Sequence, residues 1–94
     1  MKSKSIYKIP DGKLVKISLD YDKEKKIIKK IKIMGDFFAY PNEAIEFLEK
    51  HLINTKIEEK ILIKKINQDI INNNFKFIGI NAEGLTQGIL LCLK

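Results

Sequence analysis

The sequence predicts an α+β domain in which helices pack on one face of a three- to four-stranded antiparallel sheet. Between residues 14 and 34, apolar and polar residues alternate with the period of two that is typical of strands with one buried face. Between residues 42 and 71, apolar residues recur every three or four positions, which indicates helices with one buried stripe. A short strand and a short helix are predicted after them, so the sheet comes first in the chain.

Composition indicates one small globular domain. The chain has 94 residues, of which 45% are hydrophobic and 32% charged, a balance that permits a single modest core. No apolar run approaches the roughly eighteen residues of a membrane span, and no signal-peptide pattern opens the chain. We therefore expect a cytoplasmic protein without membrane contact. The single cysteine, Cys92, excludes an internal disulfide and is too few for a thiolate metal site.

Positive charge is concentrated in the first third of the chain. All 18 basic residues are lysine, and the net charge is +6. Residues 1–32 hold eleven lysines against four acidic residues, a net charge of +7, whereas residues 33–94 hold seven lysines against eight acidic residues. Because arginine is absent, no guanidinium is available to bind a phosphate through two hydrogen bonds, and any anion contact must use lysine or backbone N–H groups.

The first two strands are predicted on either side of a turn. Residues 5–9 have a short extended pattern, which predicts a marginal strand, and Pro10-Asp11-Gly12 has the chemistry of a turn. Residues 14–21 predict a half-buried strand. Its inward face consists of Val15, Ile17, Leu19 and Tyr21.

A third strand is predicted over residues 27–34, after a charged hairpin loop at residues 22–26. Ile31 and Ile33 are expected to point inward. Lys29 interrupts the inward pattern near the start of this strand, where its long stem could carry the ammonium to water.

The heptapeptide Gly35-Asp36-Phe37-Phe38-Ala39-Tyr40-Pro41 joins this basic segment to an acidic helix. It is predicted to be a loop that leaves the third strand, with Gly35 providing backbone freedom and Asp36 a carboxylate that organises the loop. At most one of the two adjacent phenylalanine rings easily faces the core, so the other needs a second surface. Pro41 fixes φ where a helix can begin.

Two helices are predicted after the heptapeptide. Residues 42–53 place Ala44, Ile45, Leu48 and Leu52 on one stripe, and Glu43, Glu46 and Glu49 on a solvated face away from it. The spacing of Thr55 and Glu58 suggests a capping box for a second helix over residues 56–71. Its core face consists of Leu62, Ile63, Ile66 and Ile70. A second apolar set on this helix, Ile57, Ile61 and Ile71, would lie uncovered in a monomer, as a docking surface or a homodimer contact.

The end of the chain predicts a strand over residues 75–80 and a helix over residues 82–93 that Asn81 caps. No catalytic constellation is present among these elements. His51 is the only imidazole and is expected to be structural, and Cys92 is expected to be a buried, inert thiol. The glycines at 79, 84 and 88 lack the spacing of a phosphate-binding loop. Lys13, beside the first turn, is the best candidate for an anion contact.

Two short motifs carry a resemblance to a known family. Gly35-Asp36-Phe37-Phe38, one further residue and Tyr40-Pro41 follow a lysine-rich hairpin opened by Gly12-Lys13-Leu14-Val15. This arrangement resembles the accessory domain of lipoate-protein ligases, in the form that some organisms make as a separate small subunit. The resemblance implies a fold similar to that of small iron-sulfur assembly proteins of the SufE and NifU kind.

The resemblance also implies a function. Ligases of this family activate lipoate with ATP to lipoyl-adenylate, and then acylate a lysine of lipoyl-acceptor domains. This chain would be a non-catalytic accessory subunit that binds no cofactor alone and forms a heterodimer with a catalytic subunit, which holds ATP, Mg²⁺ and lipoate. The expected partner interface or lid comprises Gly35, Asp36, Phe37, Phe38, Tyr40 and Pro41, with Ile57, Ile61 and Ile71, and Lys13 is the expected anion contact.

Two other functional classes were weighed from the sequence. A small basic nucleic-acid-binding protein would suit the pI near 9.4, although the basic segment lacks arginine and interleaved aromatic residues. An iron-sulfur or sulfur-transfer scaffold would need a mobile loop cysteine or a cluster of ligands, and Cys92 on a predicted helix provides neither. The accessory subunit is therefore the preferred prediction, and the sequence disfavours nucleic acid as a partner.

Overall fold

The computed structural model describes the whole chain, residues 1–94. It contains five strands and three helices, in the order β1 (Lys2–Lys8), β2 (Leu14–Asp22), β3 (Ile27–Gly35), β4 (Phe38–Tyr40), α1 (Ala44–His51), α2 (Glu59–Asn72), β5 (Lys76–Ile78) and α3 (Ala82–Leu91). Strands β1, β2 and β3 form an antiparallel sheet in that order, and β4 pairs with β5 in a separate two-stranded ribbon. The predicted α+β class is confirmed.

The core lies between the three-stranded sheet and the helices. Strand β2 alternates as predicted, with its apolar side chains buried and the residues between them turned to the other face. Helix α3 packs against β1, β2 and α2, and Asn81 caps it by accepting a hydrogen bond from the Gly84 N–H at 2.6 Å. The largest fully buried side chains include Ile17, Leu19, Ile28, Leu48, Leu52, Leu62, Ile66, Leu85 and Ile89. None of the three helices is long and apolar enough to cross a membrane.

Strand β1 is longer than the sequence predicts. It begins at Lys2 rather than Ser5, and it pairs with β2 over seven residues, from Lys2 opposite Asp20 to Lys8 opposite Leu14. Its inward positions include serines, so hydrophobic alternation does not reveal it. One of these, Ser5, donates its hydroxyl hydrogen bond to the Gly88 carbonyl at 2.7 Å, which ties β1 to α3.

A β-bulge explains why Lys29 interrupts the pattern of β3. Tyr21 pairs with Ile28 while Asp20 pairs with Lys30, so Lys29 is an extra residue without an opposite partner. The bulge turns Ile28 into the core and leaves Lys29 exposed. Because the Lys29 side chain already faces solvent, its methylene stem does not have to carry the ammonium out of the core.

The two edges of the three-stranded sheet differ. Met1 and Tyr21 exchange two backbone hydrogen bonds, at 2.8 and 2.9 Å, and this pair fixes which residues of β1 direct their backbone groups toward β2. By antiparallel alternation, the N–H and C=O groups of Lys2, Lys4 and Ile6 point away from β2. No other group in the chain pairs with them. The edge of β1 is thus open, whereas the edge of β3 is covered in part.

Residues 54–57 cover part of the β3 edge, which corrects the predicted start of α2. The Ile28 N–H donates to the Thr55 carbonyl at 2.9 Å, and the Ile57 N–H donates to the Lys26 carbonyl at 2.7 Å. Helix α2 therefore begins at Glu59, and the predicted capping box does not form. Ile57 is in the core with 6% of its surface exposed, so the prediction that it lies uncovered beside Ile61 and Ile71 is wrong. The Ile57 side chain points into the core because residues 54–57 pair with the edge of β3, and not because of helical periodicity.

Glu49 covers another part of the β3 edge, contrary to the solvated position predicted for it. Its Oε2 accepts a hydrogen bond from the Ile33 N–H at 2.7 Å. We expect Glu49→Ala to lower the free energy of unfolding by about 1–3 kcal/mol, because the part-buried N–H loses its partner. Urea unfolding of this variant beside Glu46→Ala, an exposed position on the same helix, measures the difference. Equal stabilities would contradict a stabilising role for this bond.

Candidate functional site

The two motifs found in the sequence lie together at one end of the three-stranded sheet. Val15 is the register partner of Gly35 across β2 and β3. One residue further along, the Asp36 N–H donates to the Leu14 carbonyl at 3.2 Å. The Gly-Lys-Leu-Val and Gly-Asp-Phe-Phe segments are thus neighbours in space, although twenty residues separate their positions in the chain.

Gly35 permits this close approach. Its φ is +153°, and a Cβ at this position would collide with the Leu14 carbonyl oxygen of the neighbouring strand. A residue with a side chain would therefore push the strands apart at the point where the chain leaves β3. The ring of Phe37 also packs over this glycine.

The segment after Gly35 forms a strand rather than the predicted loop. Residues 38–40 are β4, and the late strand β5 pairs with them instead of joining the three-stranded sheet. Phe38 lies opposite Ile78, and Tyr40 lies opposite Lys76. Two strands of three residues give little alternation for sequence analysis to detect, and their pairing connects residues almost forty positions apart.

One face of this ribbon is open to solvent and mostly apolar, with Lys76 opposite Tyr40 as its charged residue. Phe38 is 63% exposed, Ile78 57% and Tyr40 54%. We call these three residues the ribbon face. Residues on the opposite face, Ala39 and Phe77, are half-buried, and Phe77 packs against the core. The ribbon therefore holds two aromatic rings and an isoleucine outward on a paired backbone.

The two adjacent phenylalanines divide as expected from the sequence. Phe37 is half-buried and packs against the core, while Phe38 points outward. The Tyr40–Pro41 peptide bond is cis, and the Pro41 carbonyl accepts a hydrogen bond from the Ala44 N–H at 3.0 Å, at the start of α1. Asp36 is exposed, and its backbone N–H rather than its carboxylate ties the segment to β2, so the carboxylate-organised loop predicted from the sequence does not form.

Lys13 adjoins the same end of the sheet. Its backbone N–H donates to the Gly79 carbonyl at 2.8 Å, and its exposed side chain runs over Gly79. Gly79 has φ +93°, and a Cβ there would collide with Cγ of Lys13. Glycine spacing does not reveal the role of Gly79, because Gly79 is not part of a phosphate-binding loop. The available signal was an isolated glycine directly after a short strand.

His51 and Cys92 lie in structural settings. His51 Nδ1 is 3.3 Å from Asp69 Oδ1, a contact that joins α1 to α2, and the His51 ring lies against Phe47 on the same helix with centroids 3.9 Å apart. Cys92 is buried, and this burial raises the pKa of its thiol, so the protonated form is favoured. No group of three or more histidine, cysteine, aspartate or glutamate side chains comes together in a way that could hold a metal ion.

Ile61 and Ile71 do not form one continuous surface with each other. Both are exposed on α2, and their ten-residue separation places them about 15 Å apart along the helix axis. With Ile57 buried, the three isoleucines do not form the stripe that helical periodicity suggested.

Comparison with known proteins decides the family. The profile of a family described as bacterial lipoate protein ligase C-terminus matches residues 9–89, a range that contains both motifs. The chain belongs to the lipoate protein ligase C-terminal family. The resemblance predicted from the two motifs is confirmed.

Two relatives from Thermoplasma acidophilum extend the match to almost the whole chain. The lipoate-protein ligase A subunit 2 of this archaeon is 34% identical over 76 residues, which cover 81% of the chain and 76% of the relative. A chain in the solved structure of an archaeal lipoylation system, described as a bi-partite lipoate protein ligase and its E2 lipoyl domain, aligns with a TM-score of 0.77 and 32% identity. That alignment covers 95% of this member of the ligase C-terminal family and 94% of the solved chain.

Proposed function

We propose that this chain is the non-catalytic accessory subunit of a lipoate-protein ligase and forms a cytoplasmic heterodimer with a separate catalytic subunit. Family membership supports the proposal, as does the match to a subunit 2 over about three quarters of that protein's length. The solved relative comes from a bi-partite ligase, a system in which a small chain of this fold accompanies a second protein.

The ribbon face is the observation that carries the proposal. Phe38, Tyr40 and Ile78 are exposed apolar side chains, and the paired ribbon backbone holds them outward. Aromatic residues in rigid, exposed positions are typical anchors of protein interfaces, because they bury a large area with little loss of side-chain entropy. The ribbon face is therefore the surface that we expect to contact the catalytic subunit.

In the proposed mechanism, docking places this chain as a lid over the nucleotide site of the catalytic subunit. The catalytic subunit holds ATP, Mg²⁺ and lipoate, forms lipoyl-AMP with release of pyrophosphate, and transfers the lipoyl group to a lysine of an acceptor domain. Closure excludes water from the adenylating site and orders its loops. Lys13 lies beside the ribbon, with its backbone N–H bonded to the Gly79 carbonyl and its side chain over Gly79. Its ammonium contributes positive charge toward the phosphates of ATP.

The decisive experiment measures lipoyl-AMP formation by the purified catalytic subunit with and without this chain. We expect adenylation to require both proteins, and the chain alone to be inactive. A Lys13→Gln variant should bind the catalytic subunit normally but slow adenylation by about tenfold, since it removes one charge from the phosphates. Lys60→Gln, which alters an exposed lysine on α2, is the matched control.

Two results would contradict parts of this proposal. If the catalytic subunit adenylates lipoate equally well alone, the accessory role is wrong. If Lys13→Gln and Lys60→Gln behave alike, the accessory role stands and the anion contact at Lys13 is wrong.

A further inference from the structure

The outer face of the three-stranded sheet, opposite the helices, is covered by no other element. Its side chains line up across the strands, with Lys4, Ser18 and Lys32 in one row and Lys2, Asp20 and Lys30 in the next. These two rows line a shallow depression of about 590 Å³. Lys16 lies in a third row. We call Lys2, Lys4, Lys16, Lys30 and Lys32 the lysine face.

The charge of the lysine face is not compensated within the chain. Asp20 is the single acidic residue in these rows, and the N-terminal ammonium of Met1 lies 3.4 Å from it. The other close contact between a basic and an acidic side chain joins His51 and Asp69, so no lysine has a carboxylate partner. Like charges on neighbouring strands repel each other and add nothing to fold stability. Such a field is suited to attracting a partner of opposite charge.

We propose that the lysine face steers and binds an acidic surface of the catalytic subunit. This inference rests on the function proposed above. Its first support is the charge of this face, because five unpaired ammonium groups on an open sheet would attract a partner surface rich in carboxylates.

Its second support is that the outer face of the sheet leads toward the ribbon. The third row of the outer face consists of Ile6, Lys16 and Met34, and both apolar residues are exposed. Met34 directly precedes Gly35, where the chain turns into the ribbon. The surface thus passes from apolar residues near the ribbon to lysines further away, which is the arrangement of an interface with an apolar centre and a charged rim.

The composition of this face favours a protein over a nucleic acid. It offers no aromatic ring on which a base could stack and no guanidinium for bidentate phosphate contacts. Ile6 and Met34 instead provide apolar area that a charged phosphate backbone would not bury. A carboxylate-rich protein surface uses both features.

The test is the association rate of this chain with the purified catalytic subunit, followed by stopped flow from about 50 to about 500 mM NaCl. The wild-type rate should fall steeply with salt. At low salt, Lys4→Glu/Lys32→Glu should associate at least about tenfold more slowly, with a smaller change in dissociation. Lys60→Glu/Lys64→Glu makes the same change in net charge on exposed positions of α2 and should have little effect.

Each other outcome has a defined meaning. If the two double variants slow association equally, or if neither does, the lysine face has no specific role and the inference is overturned. If Lys4→Glu/Lys32→Glu loses salt-dependent binding of an RNA or DNA oligonucleotide but associates normally with the catalytic subunit, the face belongs to nucleic acid instead. Failure to form any complex at low salt contradicts the proposed function itself, whereas a salt-independent complex contradicts only this inference.

Discussion

Replacing Phe38 by alanine is expected to weaken the heterodimer by about 2 kcal/mol, roughly 30-fold in Kd, while leaving the folded chain as stable as before. The side chain is 63% exposed, so the isolated chain loses little packing when the ring is removed. The adjacent Phe37→Ala should do the reverse. Phe37 packs against the core, and its removal should lower the free energy of unfolding by about 2 kcal/mol, below the range for a fully buried ring.

Titration calorimetry for binding and thermal unfolding for stability separate the two variants. Ile71→Ala is the matched control for binding, because Ile71 is the most exposed large apolar residue, at 72%, and belongs to α2 rather than to the ribbon. If Ile71→Ala weakens the complex and Phe38→Ala does not, the partner docks on the helix and the ribbon face is not the interface.

Gly35→Ala is expected to destabilise the chain by about 2–4 kcal/mol. A side chain at φ +153° is strained, which costs of the order of 1–3 kcal/mol. The new Cβ also collides with the Leu14 carbonyl oxygen, a backbone atom that moves only if β2 and β3 separate. Urea unfolding measures the loss.

The neighbouring Met34→Ala serves as the control for Gly35→Ala, since Met34 is exposed on the outer face of the same strand. It should change stability by less than about 0.5 kcal/mol. Because the Gly35 substitution also moves the start of the ribbon, it should weaken binding to the catalytic subunit even under conditions where the variant stays folded. If Gly35→Ala is as stable as the wild type, β2 and β3 can separate at this point without loss of stability, which contradicts the prediction.

Local sequence periodicity was sufficient to predict the regular strands and helices. The alternation in β2 and the apolar stripe through Leu48 and Leu52 depend on residues two to four positions apart, and the structure places them as the sequence predicts. The short motifs around Lys13 and Gly35 were also visible, because each is contiguous in the chain.

Long-range pairing explains what the sequence did not reveal. Strand β4 exists because β5 pairs with it, and Ile57 is buried because residues 54–57 add to the edge of β3. Glu49 has the spacing of a solvated helical residue, yet it meets the Ile33 N–H from a strand sixteen residues earlier. In each case a backbone hydrogen bond to a distant segment outweighs a local periodicity.

The open edge of β1 bears on how this chain behaves at high concentration. An unpaired strand edge is a template on which a second copy could add, and repetition of that step leads to fibres. Lys2, Lys4 and Lys8 occupy three of the four exposed positions of β1, with Ile6 as the fourth, so two copies meeting at this edge would bring ammonium groups close to one another. The same lysines thus act as gatekeepers against polymerisation, and their protection weakens as added salt shortens the reach of the repulsion.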